Sequence, residues 1–368
     1  MWGDIAIAFL LAFITAYVVT PYTIRLARKV GALDVPKESR KIHTKPMPRL
    51  GGLAIIAGFM VSIIYLLIMM SIEKTINLKD YNNYYIKLIG LFGGAIVLAI
   101  FCIFDDIKGI NPFVKLLGQT LAALIVTFAG IRIDKIIFSS FLNTLITEEI
   151  VSITITVIWI VGITNAINLI DGLDGLSSGI SLISCISLLM IFALNDSPII
   201  SIILVTALGG AILGFLPFNF SPAKTFLGDT GSNFLGYTLS IIAILGVAKT
   251  YTAIVLIAPL IVFALPLLDT GLAIFRRLIK TKSVKGIFKA DKEHLHHKIM
   301  RKGYSQKQAV LILYAFSATF GMFAIILLES GFWKSVSFAL MVIAIGAIGA
   351  KDFFKIDESN IEYKNPKR

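Results

Sequence analysis

Long apolar stretches dominate this chain and decide what it can become. A helix needs about 20 mostly apolar residues to cross a bilayer. Eleven such stretches can be drawn, at about 4–20, 51–71, 86–103, 113–131, 150–168, 176–193, 198–216, 231–248, 252–275, 308–328 and 333–350. In hydrocarbon every backbone N–H and C=O must be satisfied within the segment, so such stretches read as helices. The expectation is an all-α polytopic integral membrane protein of about 11 transmembrane helices. Composition agrees: 57% of the residues are hydrophobic and 15% charged, against roughly 25% charged in a soluble domain. One membrane-embedded domain is expected over residues 1–350, followed by a tail over 351–368. The first stretch opens on Asp4 instead of a basic region, and no small-residue cleavage site follows it. It therefore reads as a span and not as a cleaved signal.

Orientation follows from the bias of Lys and Arg toward the cytoplasm. Residues 21–50 hold eight basic side chains and residues 276–307 hold eleven, while loops 72–85 and 132–149 hold two each. Both basic loops follow odd-numbered spans, so the N-terminus is expected outside and the tail in the cytoplasm. The net charge of +12 is thus gathered on one face. Topology alone accounts for it; attraction of anionic lipid heads or nucleotides is the functional reading. No aromatic-basic module points to nucleic acid. Cys102 and Cys185 lie inside apolar stretches and read as packing residues. Gly90 with Gly94, and Gly210 with Gly214, have the spacing that lets helices approach closely. Pro259 and Pro266 both interrupt the ninth stretch, which suggests a bent or broken helix.

Four polar clusters break the apolar pattern, all at the face expected to be cytoplasmic. Ionisable groups at a bilayer are costly and read as functional by default. Asp105 and Asp106 end the third stretch. They form a candidate general base or metal-binding pair, or else a solvated helix end with Lys108 as counter-ion. Lys115 opens the next stretch, where it can hold a phosphate or snorkel. Asn168, Asp171 and Asp174 are spaced by three, which puts them on one face if the fifth helix continues; Gly172 and Gly175 mark the turn that ends it. Amide and carboxylate oxygens suit Mg²⁺, with Mn²⁺ as the alternative. The other reading is an Asn/Asp/Gly turn between spans.

Asp229 lies in Phe226-Leu-Gly-Asp229-Thr-Gly-Ser232-Asn233 ahead of the eighth stretch. It can hold a metal while the amides of the following helix receive phosphate; Asp229, Thr230 or Ser232 can equally be an N-cap. His294, His296 and His297 sit among lysines and arginines. Zinc lacks a supporting Cys or His-Glu-x-x-His pattern, so imidazoles donating to a diphosphate are the better reading. The fourth histidine, His43, belongs to a Pro- and Gly-shaped segment with Lys45 and Arg49, whose cations suit phosphate or lipid heads.

Taken together, and in this order, these clusters resemble the polyprenyl-phosphate N-acetylhexosamine-1-phosphate transferases, glycosyltransferase family 4. The resemblance covers about residues 1–350. Within that family, His294-Leu-His296-His297, the stretch His43 to Gly52 and the count of eleven spans look like the N-acetylglucosamine branch, which begins teichoic-acid, O-antigen and enterobacterial common antigen synthesis. The peptidoglycan translocase typically has three consecutive histidines and ten spans.

The resemblance implies roles residue by residue. Asn168 and Asp229 match positions that hold Mg²⁺, and Asp105 and Asp106 a pair near the lipid phosphate, with Asp105 a proposed base. Lys115 matches a lysine near the phosphates, Asp174 and Phe226 match positions that contact uracil, and Asp171 matches an essential aspartate. The histidine loop matches a region that closes over diphosphate and sugar. The implied substrates are UDP-N-acetylglucosamine and undecaprenyl phosphate, the products UMP and lipid-linked diphospho-N-acetylglucosamine. Direct displacement and a two-step route through a phospho-aspartate both stay open, as does a homodimer. The rivals are the translocase, a transferase of another UDP-N-acetylhexosamine, and a transporter or lipid flippase.

Overall fold

A computed structural model describes residues 2–36, 45–73, 78–133, 145–247, 253–281 and 294–343. The chain forms helices α1 (Trp2–Val30), α2 (Gly52–Ile72), α3 (Leu78–Lys108), α4 (Pro112–Phe128), α5 (Leu145–Leu169), α6 (Leu176–Leu194), α7 (Ile199–Asn219), α8 (Gly228–Val247), α9 (Ala253–Val262), α10 (Ala264–Thr281), α11 (Leu295–Arg301) and α12 (Gln306–Ser330). A shorter apolar helix, α13 (Phe332–Ile343), follows. Among the described residues the only strand pairing is a two-residue antiparallel ladder, β1 (Leu33–Asp34) on β2 (Met47–Pro48). Seven of the helices are long and apolar enough to cross a membrane. The architecture is that of an all-α multi-pass membrane protein.

Packing places α7 and α8 at the centre. On α7 the residues from Ile203 to Ile212 are almost wholly enclosed, as is most of α8 from Ser232 to Leu245. The outer helices instead turn Leu10, Ile14, Ile89, Ile96, Ile158, Ile186 and Met190 outward. Apolar residues scattered this densely over the outside suit lipid and not water. Helix α7 lies directly on α1: a Cβ on Gly214 would crowd the Phe13 carbonyl, as one on Gly210 would that of Phe9. The small-residue spacing is thus used for close packing.

Helix boundaries differ from the sequence expectation in three places that matter for the site. Helix α1 runs past the first apolar stretch to Val30, so Arg25, Arg28 and Lys29 belong to its last turns and not to a loop. The ninth stretch is two helices parted at Phe263. Pro266 has no N–H for the carbonyl of Val262, four residues back, and its ring crowds that carbonyl, so the helix breaks there. Helix α8 begins at Gly228, so Asp229 sits in its first turn and not in a preceding loop. His43, the lysines of residues 282–293, most of loop 132–149 and the tail 351–368 lie outside the described residues.

Candidate functional site

The ends of α3, α5, α7 and α10 and the starts of α2, α4, α6, α8, α11 and α12 are tied together by polar contacts at one face of the bundle. The join begins with backbone. Phe226 N–H donates to the Pro48 carbonyl (2.8 Å), and Gly51 and Gly52 donate to the carbonyls of Phe226 (3.1 Å) and Leu227 (2.9 Å). Gly51 and Gly52 are needed here because a Cβ on either would run into the 226–231 segment. This pairing sets Arg49 beside the start of α8.

Arg49 reaches two carboxylates, Asp229 Oδ2 at 2.9 Å and Asp106 Oδ1 at 3.4 Å. Lys115, from the first turn of α4, pairs with Asp229 Oδ1 and lies 3.3 Å from Asp105 Oδ2. Asn168 Nδ2, at the end of α5, donates to Asp229 Oδ1 (2.8 Å) and to Ser232 Oγ (2.7 Å). Asp229 therefore stands at the centre, touched from α4, α5 and the segment before α2. Burial opposes the Arg49 charge, but Asp106, Asp229, Asp34 and Asp105 outweigh it and hold the guanidinium above its ordinary range.

The adjacent carboxylates do different work. Asp106 is enclosed, and both its oxygens are taken up by the start of α8: Asp229 N–H at 2.9 Å, Thr230 N–H at 2.9 Å and Thr230 Oγ at 2.7 Å. The first amides of a helix lack internal partners, and here a carboxylate from another helix satisfies them. Two of the amides expected to receive phosphate, those of Asp229 and Thr230, are thus already engaged, and Asp106 does N-cap work that the sequence offered to Asp229, Thr230 or Ser232. Asp105 accepts from Ile110 N–H (2.9 Å) on one oxygen and faces Lys115 with the other.

Beyond Asn168 the chain leaves the helix. Asp171 and Asp174 lie in a turn, not on the α5 face, and Gly175 closes it with φ of 77°. Asp174 Oδ2 accepts from Ala223 N–H (3.0 Å), joining this turn to the segment before Phe226. Phe226 is half-buried there, while Lys45 stands exposed at the head of its segment. Asp171 is half-buried; desolvation, then the charge of Asp229, push its carboxyl up to about 8.

The histidines meet this turn from the other side. His296 is buried with its ring against Gly172, where an added Cβ would lie 2.5 Å from Nε2. His297 is half-buried, its ring 4.2 Å from that of His296. His294 Nδ1 lies 2.8 Å from Asp269 Oδ2, and its Nε2 lies 3.4 Å from Arg277 Nη2. Burial, then His297, hold His296 down to about 3, so it is neutral at physiological pH. Of the imidazoles expected to donate to a diphosphate, His296 is a neutral wedge and His294 has both ring nitrogens against protein. His297 is the one whose placement still fits that part.

Side chains to which the sequence reading gave no role complete the site. Gln119 Nε2 donates to Asn233 Oδ1 (2.6 Å), Asn165 Nδ2 to Gln119 Oε1 (2.6 Å), and Asn233 Nδ2 to the Asp229 carbonyl (2.8 Å). This amide chain braces Asp229 from within the bundle. Tyr314 of α12 donates to the Gly175 carbonyl. Asp269 and Gln119 carried a signal: each is a polar side chain inside a stretch counted as apolar.

The donor set fits a divalent cation held largely by its substrate. Among the described residues no three His, Cys, Asp or Glu side chains close round one point as a full protein cage would. Mg²⁺ commonly takes one or two carboxylates and fills the rest with waters and phosphates. Asp171 is also a carboxyl whose charged form is disfavoured by burial and by Asp229, a situation that a neighbouring cation reverses.

Comparison with known proteins agrees with this geometry. The family model for glycosyl transferase family 4 matches residues 88–247. A Bacillus subtilis protein, described as a probable undecaprenyl-phosphate N-acetylglucosaminyl 1-phosphate transferase, is 36% identical over 344 residues, 92% of this chain and 89% of the relative. The decaprenyl-phosphate N-acetylglucosaminephosphotransferase of Mycolicibacterium smegmatis is 31% identical over 93% of this chain and 87% of its own length. The phospho-N-acetylmuramoyl-pentapeptide-transferase of Halalkalibacterium halodurans is 30% identical over 86% of this chain and 95% of its own length.

Proposed function

We infer the reaction from one premise: the chain belongs to glycosyl transferase family 4. It transfers N-acetylglucosamine 1-phosphate from UDP-N-acetylglucosamine to undecaprenyl phosphate. An oxygen of the lipid phosphate attacks the β-phosphorus, the bond from that phosphorus to the bridging oxygen breaks, and UMP carries that oxygen away. Lipid-linked diphospho-N-acetylglucosamine remains.

The observation that carries this reading is the convergence of Arg49, Lys115 and Asn168 on Asp229. Phosphoryl transfer asks a protein mainly for positioning and charge compensation, and this cluster offers both at a membrane face. A transporter would set such groups near the bilayer midplane. Arg49 and Lys115 are the donors for phosphate oxygens. Asp105 is the group that takes a proton from the lipid phosphate when it arrives protonated. Asp106 holds the start of α8, and so Asp229, in place. Asp174 and Phe226 face the uracil and His297 the diphosphate-sugar. Asn168 and Asp229 are the residues that would hold Mg²⁺, or Mn²⁺ in its place, which neutralises charge on the diphosphate and the leaving UMP.

The same reading fixes topology. With α9 and α10 counted as one broken crossing and the short α11 left out, the helices of this reading would make eleven crossings, with the N-terminus outside and the polar face cytoplasmic. Arg28 and Lys29 in the last turn of α1 and Lys108 at the end of α3 support it. Cysteines placed at Ser39 and Ser283 should be shielded from an impermeant thiol reagent in intact cells; labelling of either would refute the orientation.

The sugar is tested with purified protein, Mg²⁺, undecaprenyl phosphate and a panel of UDP-sugars scored for UMP. UDP-N-acetylglucosamine should be used far better than UDP-N-acetylmuramoyl-pentapeptide. The more similar relatives carry the N-acetylglucosamine name, at 36% and 31% identity, against 30% for the pentapeptide transferase. Preference for the pentapeptide donor would move the chain to that branch and leave the phosphoryl chemistry intact.

A further inference from the structure

We propose that Asp269 is a positioning residue of this reaction: it clamps His294 and the start of α11, and so sets where His296 and His297 stand against the 171–175 turn. The proposal rests on the transfer reaction inferred above and adds a residue with no assigned part in it.

Asp269 lies on α10, just past the break at Phe263, and is 2% exposed. A carboxylate that enclosed must be matched, and its two oxygens are divided between two partners. Oδ2 faces His294 Nδ1 at 2.8 Å, and Oδ1 accepts from Leu295 N–H at 2.8 Å. The second contact caps α11. His294 is the residue before that helix, and its own side chain makes no capping bond; the carboxylate from α10 takes an amide that would otherwise lack a partner.

The first contact orients the ring. Nδ1 faces Asp269 Oδ2, and Nε2 lies 3.4 Å from Arg277 Nη2, a group that can only donate. Both ring nitrogens of His294 thus face protein. What reaches the reactive side is the next turn. The His294 and His296 rings stack with centroids 5.9 Å apart, His296 is wedged against Gly172 beside Asp171, and His297 lies 4.2 Å beyond. The three histidines form a row anchored at one end. Apolar contacts of Leu295, Ile299 and Met300 hold α11 onto the cluster of Ile170, Leu173 and Leu313. Such contacts fix the depth of the helix but leave its rotation free; the carboxylate fixes rotation.

The test uses the full chain in detergent with undecaprenyl phosphate, UDP-N-acetylglucosamine and Mg²⁺. Amide hydrogen exchange of residues 294–302 is read beside the kinetics. Asp269→Asn keeps the shape but removes the charge-assisted acceptor. Exchange at the start of α11 should quicken while the rest of the chain stays as protected as before. Turnover should fall about tenfold to a hundredfold, the usual loss for a residue that orients a site's own ligands, with the donor KM changed by less than about threefold. In a His294→Ala background the same substitution should cost no more than about twofold further, because the two act as a unit.

Wild-type turnover in Asp269→Asn, with or without faster exchange, would overturn the proposal, and so would losses that simply add in the double variant. If Asp269→Asn does not fold, His294→Ala carries the test. It must show the same local exchange and the same kcat loss, and wild-type behaviour there overturns the proposal. A wild-type protein that releases no UMP would instead sink the reaction inferred above. The clamp would then stand or fall on exchange alone: faster exchange at α11 sustains it, unchanged exchange ends it.

Discussion

The two halves of the polar face are built in opposite ways. On one, Arg49 and Lys115 are interleaved with Asp105, Asp106 and Asp229, so charge of both signs is present and largely paired within the protein. On the other, imidazoles are gathered behind a single carboxylate, and the most enclosed of them is held neutral. The first half is a preset electrostatic surface, fixed by contacts from four helices and the segment before α2. The second is a row of histidines in which His296 is a neutral wedge set against Gly172, its position, in the proposal above, hanging on Asp269. A phosphoryl-transfer site needs charge ready before substrate arrives, which the first half supplies; in the function proposed above, the second half meets the diphosphate-sugar.

The comparison breaks most easily at Asp229. Asp229→Ala removes the partner shared by Arg49, Lys115 and Asn168, and turnover should fall on the order of 100- to 1,000-fold. The protein should remain membrane-inserted and monodisperse by size exclusion. Near-normal turnover in a folded variant would remove Asp229 from the centre of the site.

The neighbouring aspartates sharpen it. Asp106→Asn puts an amide N–H₂ against the donors of Asp229 and Thr230, so folding stability should drop by about 1–3 kcal/mol, read as a lower melting temperature, with activity falling alongside. Asp105→Asn should lower turnover with little change in melting. The reverse pattern would exchange their roles.

A third test is pH. Asp171 has a raised carboxyl, about 8 when folded against an ordinary 3.8. The folded state then holds more protons than the unfolded one between those values, so stability is fully present below about 4 and is lost as pH rises toward 8. His296 runs the other way, about 3 when folded against 6.5. The unfolded state binds the proton first, so stability is present above 6.5 and lost as pH falls toward 3. Without divalent cation, Asp171→Asn should flatten the alkaline loss of melting temperature and His296→Leu the acid loss. The smallest effect is expected at Gly172→Ala, whose methyl must displace the His296 ring at a cost of about 1–3 kcal/mol and a few-fold slower turnover.

Much of this was legible in the chain. Apolar length alone gives the helices, since a bilayer leaves backbone no other choice. The paired prolines foretell the broken ninth crossing. Asp105, Asp106, Asn168 and Asp229 stood out in the chain because a carboxylate or amide at a span end is costly without a partner, and the structure brings the four together. What stayed hidden depends on pairing across distant segments. Asp106 looks like its neighbour until α8 is seen to start on it. Asp269 passed as one polar residue in an apolar run, because its partner lies 25 positions away. The histidines read as equals, yet enclosure and one carboxylate give the three of them different surroundings. Spacing locates a polar group; only the packed helices show which of its atoms are already used.

The central claim is that this face moves a phosphosugar and not a bare sugar. It is tested most directly with UDP-N-acetylglucosamine radiolabelled at its β-phosphorus, incubated with the protein, Mg²⁺ and undecaprenyl phosphate, then partitioned into organic and aqueous phases. The account predicts that the label enters the lipid, that unlabelled UMP appears in equal amount, and that Asp229→Ala does neither. Label remaining in water as UDP, with only the sugar in the lipid, would contradict it.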